Sequence, residues 1–516
     1  MKKNLLSIAV AASAAGMASV ATAQMYINPE RTGEALLFPF YSAQSGNTTA
    51  IHIVNTTNQY KAVKVKIIEG YESFETRDFN LYMSPEDHFS FGILEDGDGA
   101  KLVTSDTSCT VPAIPATGVP FTDQLWATAD QEDREQVGYV EIIEMGQIDP
   151  DTATAAAILH KDGEPADCSL VVKHWSVVDD VPGPWRAEAD GTSDSGATTT
   201  GVTHMLADWA GGGLYGVANV INVKEGTSFG YDAVAIEDLV DPAASGAALH
   251  YAPEDLRPNW ADPSLDRNAT VVVNGEQVAF TAYDADSHEA VSALFMTETI
   301  SNDYVIDEDV NALTDWVVTM PTKRNHKAGK STLFTKPFSN QTIDALTNKA
   351  SATGLCQPVS MVGYDREEGT QAPPPPPEGE NIDPLFSPSV TPTPETPESV
   401  PDYALCAESS VLHFGAASAT NTVGVGATGK ENLSSVGVFV DGWSEGWAVL
   451  GLTEAGLING VDNARELDGL NGATLYGLPA TGFAVVEYTN GANPDGLSNY
   501  QLAWEHKTSV ASSSAD

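Results

Sequence analysis

The sequence contains one pentapeptide of the kind that carries a hydrolase nucleophile, Gly442-Trp443-Ser444-Glu445-Gly446. In the G-x-S-x-G nucleophile elbow, a strand leads into a sharp turn and a helix follows, which leaves the serine hydroxyl exposed above the sheet. His506, together with Asp462 or Asp495, would supply the rest of a triad in the usual chain order. Residues 447–452, however, have the pattern of a strand, which favours a hairpin turn. We therefore predict a protein that is not an enzyme and assign no catalytic residue.

Carboxylates close together in small-residue loops are the second group that could do chemistry, because Ca²⁺ binds several oxygen ligands at once. The candidate metal ligands are Asp96 and Asp98 in one loop and Asp307 and Asp309 in another. Neither pair fits the EF-hand pattern, and a solvated acidic loop is the favoured alternative at any single site. The ten histidines include no H-E-x-x-H or H-x-H motif, so no local zinc signature is present.

A short basic stretch interrupts the acidic sequence, with Lys323, Arg324, Lys327, Lys330 and Lys336 close together. Such a patch could dock onto an acidic surface, either a second copy of this protein or anionic lipopolysaccharide. An ordinary basic loop explains the same residues, and both interpretations stay open.

The chain as a whole is strongly acidic. Its 516 residues include 25 Lys and Arg against 71 Asp and Glu, a formal net charge of −46. Such a surface repels phosphate, which excludes a nucleic-acid-binding protein. Hydrophobic residues make up 42 %, enough to bury a core, so general disorder is also excluded.

The N-terminus has the pattern of a Sec-type signal peptide. Lys2 and Lys3 precede an uncharged run over 4–20, and Ala21-Thr22-Ala23 is a small-x-small cleavage site. The run is too short and too rich in alanine and serine for a membrane anchor. We expect residues 1–23 to be removed and the mature chain to be exported to the cell surface, the medium or the periplasm, without a transmembrane segment.

If the chain is exported, we expect its four cysteines to form structural disulfides, since disulfides persist in oxidising compartments. Cys109, Cys168, Cys356 and Cys406 allow three pairings. Chain order favours Cys109 with Cys168 and Cys356 with Cys406, because the members of each pair are close in sequence.

Strand patterns dominate the elements that would position all these residues. Val63, Val65 and Ile67 alternate with Lys64 and Lys66, which predicts a half-buried strand with its lysines in solvent. Further strands are expected at 50–54, 79–83, 136–145, 169–178, 316–320, 360–364, 435–440, 447–452 and 483–488. Helices are expected at 286–296, 302–313 and 344–350. The predicted fold class is mainly β, with one or more antiparallel β-sandwich domains, long loops and a few short helices.

Composition divides the chain further. After the signal peptide we expect an N-terminal β-domain at 24–180, a loop or linker at 181–201, a second β-rich region at 202–366, a proline-rich loop or linker at 367–402, and a C-terminal β region at 403–516 that could continue 202–366. If Cys356 pairs with Cys406, the proline-rich segment is a clipped loop within one domain; otherwise it is a spacer between domains.

Several fragments resemble recurring blocks of large, exported, β-rich proteins of Gram-negative bacteria. These are residues 54–57 with 61–66 and 78–85, then 314–324, and finally 482–488. The resemblance implies export, a cell-surface type of protein and a β-rich fold. The group has no assigned activity, so it transfers no functional residue.

The leading hypothesis is a secreted, non-enzymatic surface or extracellular-matrix structural protein. Its partners would be further copies of itself or components of the envelope surface, bridged by divalent cations such as Ca²⁺. The alternative is an extracellular hydrolase or glycan-binding module, because Trp443 and Trp447 could stack on sugars. Most tryptophans of a β-sandwich lie in the core, which weakens that alternative.

Overall fold

A computed structural model describes most of the chain from Gln24 onward. The described residues are 24–121, 134–192, 200–208, 211–241, 249–283, 287–307, 309–327, 334–338, 356–366, 403–415, 428, 435–438, 443–453, 457–458, 461–462, 465–489 and 499–514. The expected signal peptide, the helix at 344–350, the proline-rich segment 367–402 and Lys330 lie outside them.

The first part of the chain is almost entirely strand. Its elements are β1 (Tyr26–Ile27), β2 (Ala35–Ser42), β3 (Asn47–Asn55), β4 (Tyr60–Glu69), β5 (Glu75–Met83), β6 (His88–Asp96), β7 (Gly99–Val103), β8 (Cys109–Val111), β9 (Val119–Pro120) and β10 (Val137–Ile148).

Short helices and hairpins follow. They are α1 (Ala153–Ile158), β11 (His160–Lys161), β12 (Glu164–Pro165), α2 (Ser169–Trp175), β13 (Val177–Val178), β14 (Val181–Pro182), α3 (Pro184–Ala189), β15 (Leu214–Asn222), β16 (Thr227–Asp232), β17 (Val234–Glu237), β18 (Asn268–Val273), β19 (Glu276–Thr281) and α4 (His288–Phe295).

The remaining described elements are again mainly strands. They are β20 (Met296–Thr297), β21 (Thr299–Val305), β22 (Ala312–Thr319), a 3₁₀ turn (Lys323–His326), β23 (Gln357–Asp365), β24 (Tyr403–Leu405), β25 (Ser409–Phe414), β26 (Ser435–Val438), β27 (Glu445–Gly451), β28 (Leu457–Ile458), β29 (Val461–Asp462), β30 (Glu466–Asp468), β31 (Ala473–Tyr476), β32 (Leu478–Pro479), β33 (Thr481–Tyr488), β34 (Tyr500–Glu505), β35 (Lys507–Ser509) and β36 (Ala511–Ser514).

Two sheets form the first sandwich. A seven-stranded sheet in the order β1-β17-β2-β10-β4-β5-β8 faces a six-stranded sheet in the order β16-β15-β3-β6-β7-β9. Alternating apolar residues such as Phe38, Ile51, Val65 and Phe91 fill the space between them, as the period of a strand dictates. The mainly β, sandwich-type fold class is thereby confirmed.

The second face of the seven-stranded sheet is also covered. Helices α1–α4 and the β18–β19 hairpin form a third layer whose apolar residues include Trp175, Trp185 and Trp260. Lys64 and Lys66 therefore lie in the interior, 0 % and 5 % exposed. The prediction of a half-buried β4 with solvent-exposed lysines is wrong, because distant parts of the chain cover that face.

A second sandwich follows. Its sheets have the orders β24-β23-β27-β21-β35 and β26-β25-β22-β33-β34. All the pairings in them are antiparallel except β25 with β26. Trp316, Tyr304 and Phe414 belong to its core.

Both sandwiches take strands from segments that are far apart in the sequence. Strands β15–β17 come after 181–201, yet they pair with β2 and β3 of the first sandwich, and α3 lies within 181–201. Strands from 299–365 and from 403 onward share both sheets of the second sandwich. Both sandwiches are thus assembled across long stretches of chain.

Most of the expected strands are present, but the assignments at 169–178 and 302–313 are wrong. Residues 169–175 form helix α2, because Val171 and Trp175 at i, i+4 spacing bury one helical face. Residues 302–313 form the end of β21 and the start of β22, with a turn at Asn311, which has a positive φ of 45°. The helix expected at 286–296 is α4.

The two sandwiches are packed against each other. Phe483 of β33 stacks on Tyr231 of β16 with ring centroids 4.5 Å apart, and it meets Phe40 of β2 edge-on at 6.3 Å. Thr319 Oγ1 donates a hydrogen bond to Pro39 O at 2.6 Å, and Ser409 N donates to Gly70 O at 2.7 Å. Apolar and polar contacts therefore join the sandwiches.

The disulfides join Cys109 to Cys168 and Cys356 to Cys406, the pairing that chain order favours. The second bridge lies beside the Gln357–Leu405 pair of β23 and β24, so these two strands of one sheet, on either side of 367–402, are also joined covalently. Among the described residues, no helix has the length and apolar character needed to cross a membrane.

Candidate functional surface

The G-x-S-x-G serine lies at the start of a strand. Ser444 immediately precedes β27, and its backbone carbonyl accepts a hydrogen bond from Ile306 N at 2.6 Å. A strand therefore follows the serine where a nucleophile elbow has a helix.

His506, the proposed base of that motif, is engaged elsewhere. Its Nε2 donates to Val317 O at 2.9 Å, and its Nδ1 accepts from Asn302 Nδ2 at 3.0 Å. Burial lowers its pKa to about 4. Both ring nitrogens thus hold neighbouring strands together. Asp495 and the Asp462 side chain lie outside the described residues.

The candidate calcium ligands lie in two separate loops. Asp96 accepts a hydrogen bond from Lys101 Nζ at 3.1 Å, and Asp98 is exposed in the same β6–β7 turn. Asp307 Oδ1 accepts from the backbone N–H of Asp309 at 2.8 Å. Within the described part of the chain, no three His, Cys, Asp or Glu residues are grouped so that they could hold a metal ion.

The basic stretch makes contacts within the protein. Lys323 is only 1 % exposed, and its Nζ donates to Cys406 O at 2.9 Å. The Arg324 guanidinium lies 4.0 Å from the centroid of the Phe74 ring and donates to Glu72 O at 3.0 Å. The expected outward docking patch is therefore wrong for Lys323, which is buried, and Arg324 contacts the β4–β5 turn of the first sandwich.

Lys327 and Lys336 are also engaged in contacts. Lys327 Nζ lies 5.7 Å from the centroid of the Phe334 ring, and Lys336 pairs with Glu466. Near Lys323, burial raises the pKa of Glu408 and lowers that of the Lys323 ammonium. This part of the stretch therefore connects structural elements.

Further basic residues are buried within the first sandwich. Lys61 Nζ lies 2.7 Å from Glu144 Oε1, and both side chains are fully buried. Lys64 Nζ lies 2.6 Å from Asp78 Oδ2 and donates to Pro253 O at 3.0 Å. Burial raises the pKa of Glu144 to about 7. These ion pairs satisfy buried charges and are inaccessible to a ligand.

A shallow depression of about 430 Å³ lies on the first sandwich, beside Ser84, Asp87, His88 and His160. Ser84 Oγ lies 3.1 Å from His160 Nδ1, and Asp87 Oδ2 lies 3.7 Å from the same nitrogen. In a triad, the serine and the acid contact opposite ring nitrogens. Ser84 is also only 3 % exposed, so this group fixes a turn and lacks the geometry of a nucleophile.

A denser histidine and aromatic cluster is fully internal. The Trp175 indole donates to the Tyr82 hydroxyl at 2.6 Å, and the Tyr82 hydroxyl lies 3.1 Å from His250 Nε2. His250 Nδ1 donates to Gly201 O at 2.6 Å, and burial lowers the pKa of His250 to about 4. The cluster is part of the core.

The outer surface of β23, β27 and β21 has a different character; we call it the Trp447 face. Tyr364, Trp447 and Asp303 are direct cross-strand neighbours on it. The Tyr364 and Trp447 rings are stacked, with centroids 4.4 Å apart and planes 12° from parallel. Trp447 is nevertheless 43 % exposed, so this aromatic pair faces solvent.

Polar groups surround the aromatic pair. Ser301 precedes Asp303 by two residues on β21, while Val362 and Val449 are paired next to the aromatic rings. An ion pair of Arg366 and Glu445 lies at one end of the face. Lys507 is paired with Ser301 on the far strand. The face thus offers an apolar platform with hydrogen-bond donors and acceptors of both charges at its edge.

A second stacked pair lies at the same end of the sandwich. Tyr488 and Tyr500 have ring centroids 4.9 Å apart, and Tyr500 is 48 % exposed. Burial raises the pKa of Tyr488, and the neighbouring Tyr500 and the carboxylates of Glu445 and Asp307 raise it further. Asp307 and Glu445 are therefore near this pair. Sequence reasoning selected Trp447 but missed its partner Tyr364, which only the strand register brings alongside.

Comparison of the chain with protein-family models, with curated proteins and with solved structures found no match.

Proposed function

We propose that this protein is an exported, non-enzymatic structural component of the cell surface or extracellular matrix, whose copies associate through divalent cations. The observation that carries the proposal is the large excess of acidic over basic residues. The sequence has 25 Lys and Arg against 71 Asp and Glu, and several of the bases are buried. These include Lys61, Lys64, Lys66, Arg134 and Lys323.

Buried acids such as Glu69, Glu141 and Asp315 outnumber the buried bases, but the chain has so many more acids than bases that its outer surface stays strongly acidic. Some of these bases are matched by buried acids such as Glu144, but Lys323 and Lys64 also use backbone carbonyls as partners. Surface carboxylates repel one another across a contact between copies unless multivalent cations bridge them. A bridged contact takes ligands from two copies, so it needs no three-ligand group within one chain.

The packing of the molecule supports a structural role. Two sandwiches share an apolar contact around Phe483, and two disulfides close long stretches of chain. Rigid, cross-linked β-domains suit a component that must keep its shape outside the cell.

Cell fractionation with and without EDTA tests the proposal. We expect EDTA to release the protein from the surface fraction and Ca²⁺ to restore the association of the purified chain, measured by sedimentation. Protein that stays monomeric in the medium, with or without Ca²⁺, would refute the proposal.

Matched variants locate the cation contacts. We expect Asp307→Asn with Asp309→Asn, or Asp96→Asn with Asp98→Asn, to weaken the Ca²⁺-dependent association. Asp179→Asn with Asp180→Asn removes the same charge from an exposed pair elsewhere. Equal effects of all three double variants would indicate a general charge effect and contradict a role for these loops.

A further inference from the structure

We propose that the Trp447 face is a binding site for an uncharged polysaccharide. This inference goes beyond the structural role, because it assigns a ligand to one face of the second sandwich. Three features of that face support it: an exposed aromatic pair, polar groups beside the rings, and a local balance of charge.

The aromatic pair supplies the platform. Tyr364 and Trp447 each cover one side of the other, at a centroid separation of 4.4 Å. The register places Trp447 between Tyr364 and Asp303, so the free side of the indole lies towards β21. A pyranose with equatorial substituents presents an apolar C–H surface of the size of such a ring, and stacking would remove both surfaces from water.

Pairing fixes the geometry of the platform before any ligand arrives. Trp447 is held between two hydrogen-bonded strands, and its stacking on Tyr364 restricts its rotamers. A ligand would therefore meet a pre-oriented ring, and little side-chain entropy would be lost on binding.

The polar groups match hydroxyls. Asp303 and Ser301 lie on the strand next to Trp447, where a carboxylate and a hydroxyl can accept and donate hydrogen bonds. Sugar hydroxyls need both kinds of partner, and they project sideways from a ring whose flat side is stacked.

The charges on the Trp447 face favour an uncharged polysaccharide over a charged one. Two acids, Asp303 and Glu445, and two bases, Arg366 and Lys507, lie on this face, and Glu445 pairs with Arg366. The face itself is thus close to neutral, while the chain as a whole has a charge of −46. An acidic polysaccharide would be repelled by the whole molecule. A cationic polymer would adsorb anywhere on it, without any need for Trp447.

The test is calorimetric titration of the full mature chain with three uncharged hexasaccharides: cellohexaose, mannohexaose and the hexamer of N-acetylglucosamine. We expect at least one to bind, and Trp447→Ala to weaken that binding about ten-fold, since loss of one stacking contact has about that effect. Asp303→Asn should weaken it about three-fold. Tyr283→Ala, which removes an exposed aromatic residue outside the second sandwich, should leave it unchanged.

Folding and unspecific adsorption are controlled separately. The urea midpoint of each variant shows whether it folds, and Trp447→Phe keeps an aromatic surface and should recover part of the affinity. As a further control, the hexamer of glucosamine without acetyl groups, which is a cation, measures unspecific adsorption to the acidic surface. Absence of binding to all three uncharged sugars would overturn the proposal. It would also be overturned by binding that Trp447→Ala leaves unchanged in a folded protein.

Discussion

Replacement of Phe483 by alanine tests whether the two sandwiches behave as one unit. The side chain is only 2 % exposed, and its neighbours Tyr231, Phe229 and Phe40 lie at centroid distances of 4.5, 5.7 and 6.3 Å. All three belong to the first sandwich, whereas Phe483 belongs to the second. Truncation of a core phenylalanine costs about 3–5 kcal/mol, and here most of that loss weakens the contact between the sandwiches.

The assay is urea unfolding followed by hydrogen exchange and mass spectrometry of peptides from each sandwich. In the unaltered protein we expect peptides from β4 and from β27 to lose protection at the same urea concentration. In Phe483→Ala we expect the two midpoints to separate, because each sandwich then unfolds with less help from the other.

A matched control distinguishes loss of coupling from simple loss of stability. Phe91 is 3 % exposed and packs against Phe79 and Phe89 inside the first sandwich. Phe91→Ala should cost a similar free energy of unfolding without acting on the contact itself. If Phe483→Ala changes stability by less than about 1 kcal/mol, or if its two midpoints coincide, the coupling inferred from the structure is wrong.

Three further predictions concern buried charge and cross-linking. Burial lowers the pKa of His250 from 6.5 to about 4. The unfolded state therefore takes up the proton first, and the stability that is present above pH 6.5 falls by about 3 kcal/mol by pH 4. His250→Phe should flatten the dependence of the unfolding free energy on pH between pH 6.5 and pH 4. An unchanged slope would contradict this. Lys61→Met should lower the free energy of unfolding, measured by urea titration, by about 3–5 kcal/mol, because it leaves the Glu144 carboxylate buried without its cation. Adding Glu144→Gln should recover much of this loss. No recovery would argue against the ion pair. Replacing Cys356 and Cys406 by serine should cost about 4 kcal/mol for their sequence separation of 50, and a thermal unfolding transition that does not move would refute that expectation.

Local pattern predicts the strands well and their surroundings poorly. The alternation around Val63 and Val65 correctly indicates a strand, yet it also suggests that Lys64 points into water. The cover comes from residues nearly two hundred positions away, such as Pro253, whose carbonyl accepts a hydrogen bond from the Lys64 ammonium. A lysine that alternates with valine looks the same in sequence whether it meets solvent or a buried carboxylate.

The candidate sites show the same limit. Trp447 attracts attention as a tryptophan near a turn, but its meaning depends on Tyr364, which strand register alone places beside it. Lys323 looks like part of a surface patch because its neighbours in sequence are basic, whereas its environment is set by Cys406 on another segment. The disulfide pairing was predictable because short loops close more readily than long ones.

The pairing of β23 with β24 affects how far the segment between them can vary in length. The start of β23 is held to β24 by strand pairing and by the Cys356–Cys406 bridge. The entropy of closing a loop grows only slowly with its length. Insertions or deletions between these anchors should therefore have little effect on the second sandwich, which makes this position a suitable place to graft an epitope or a tag.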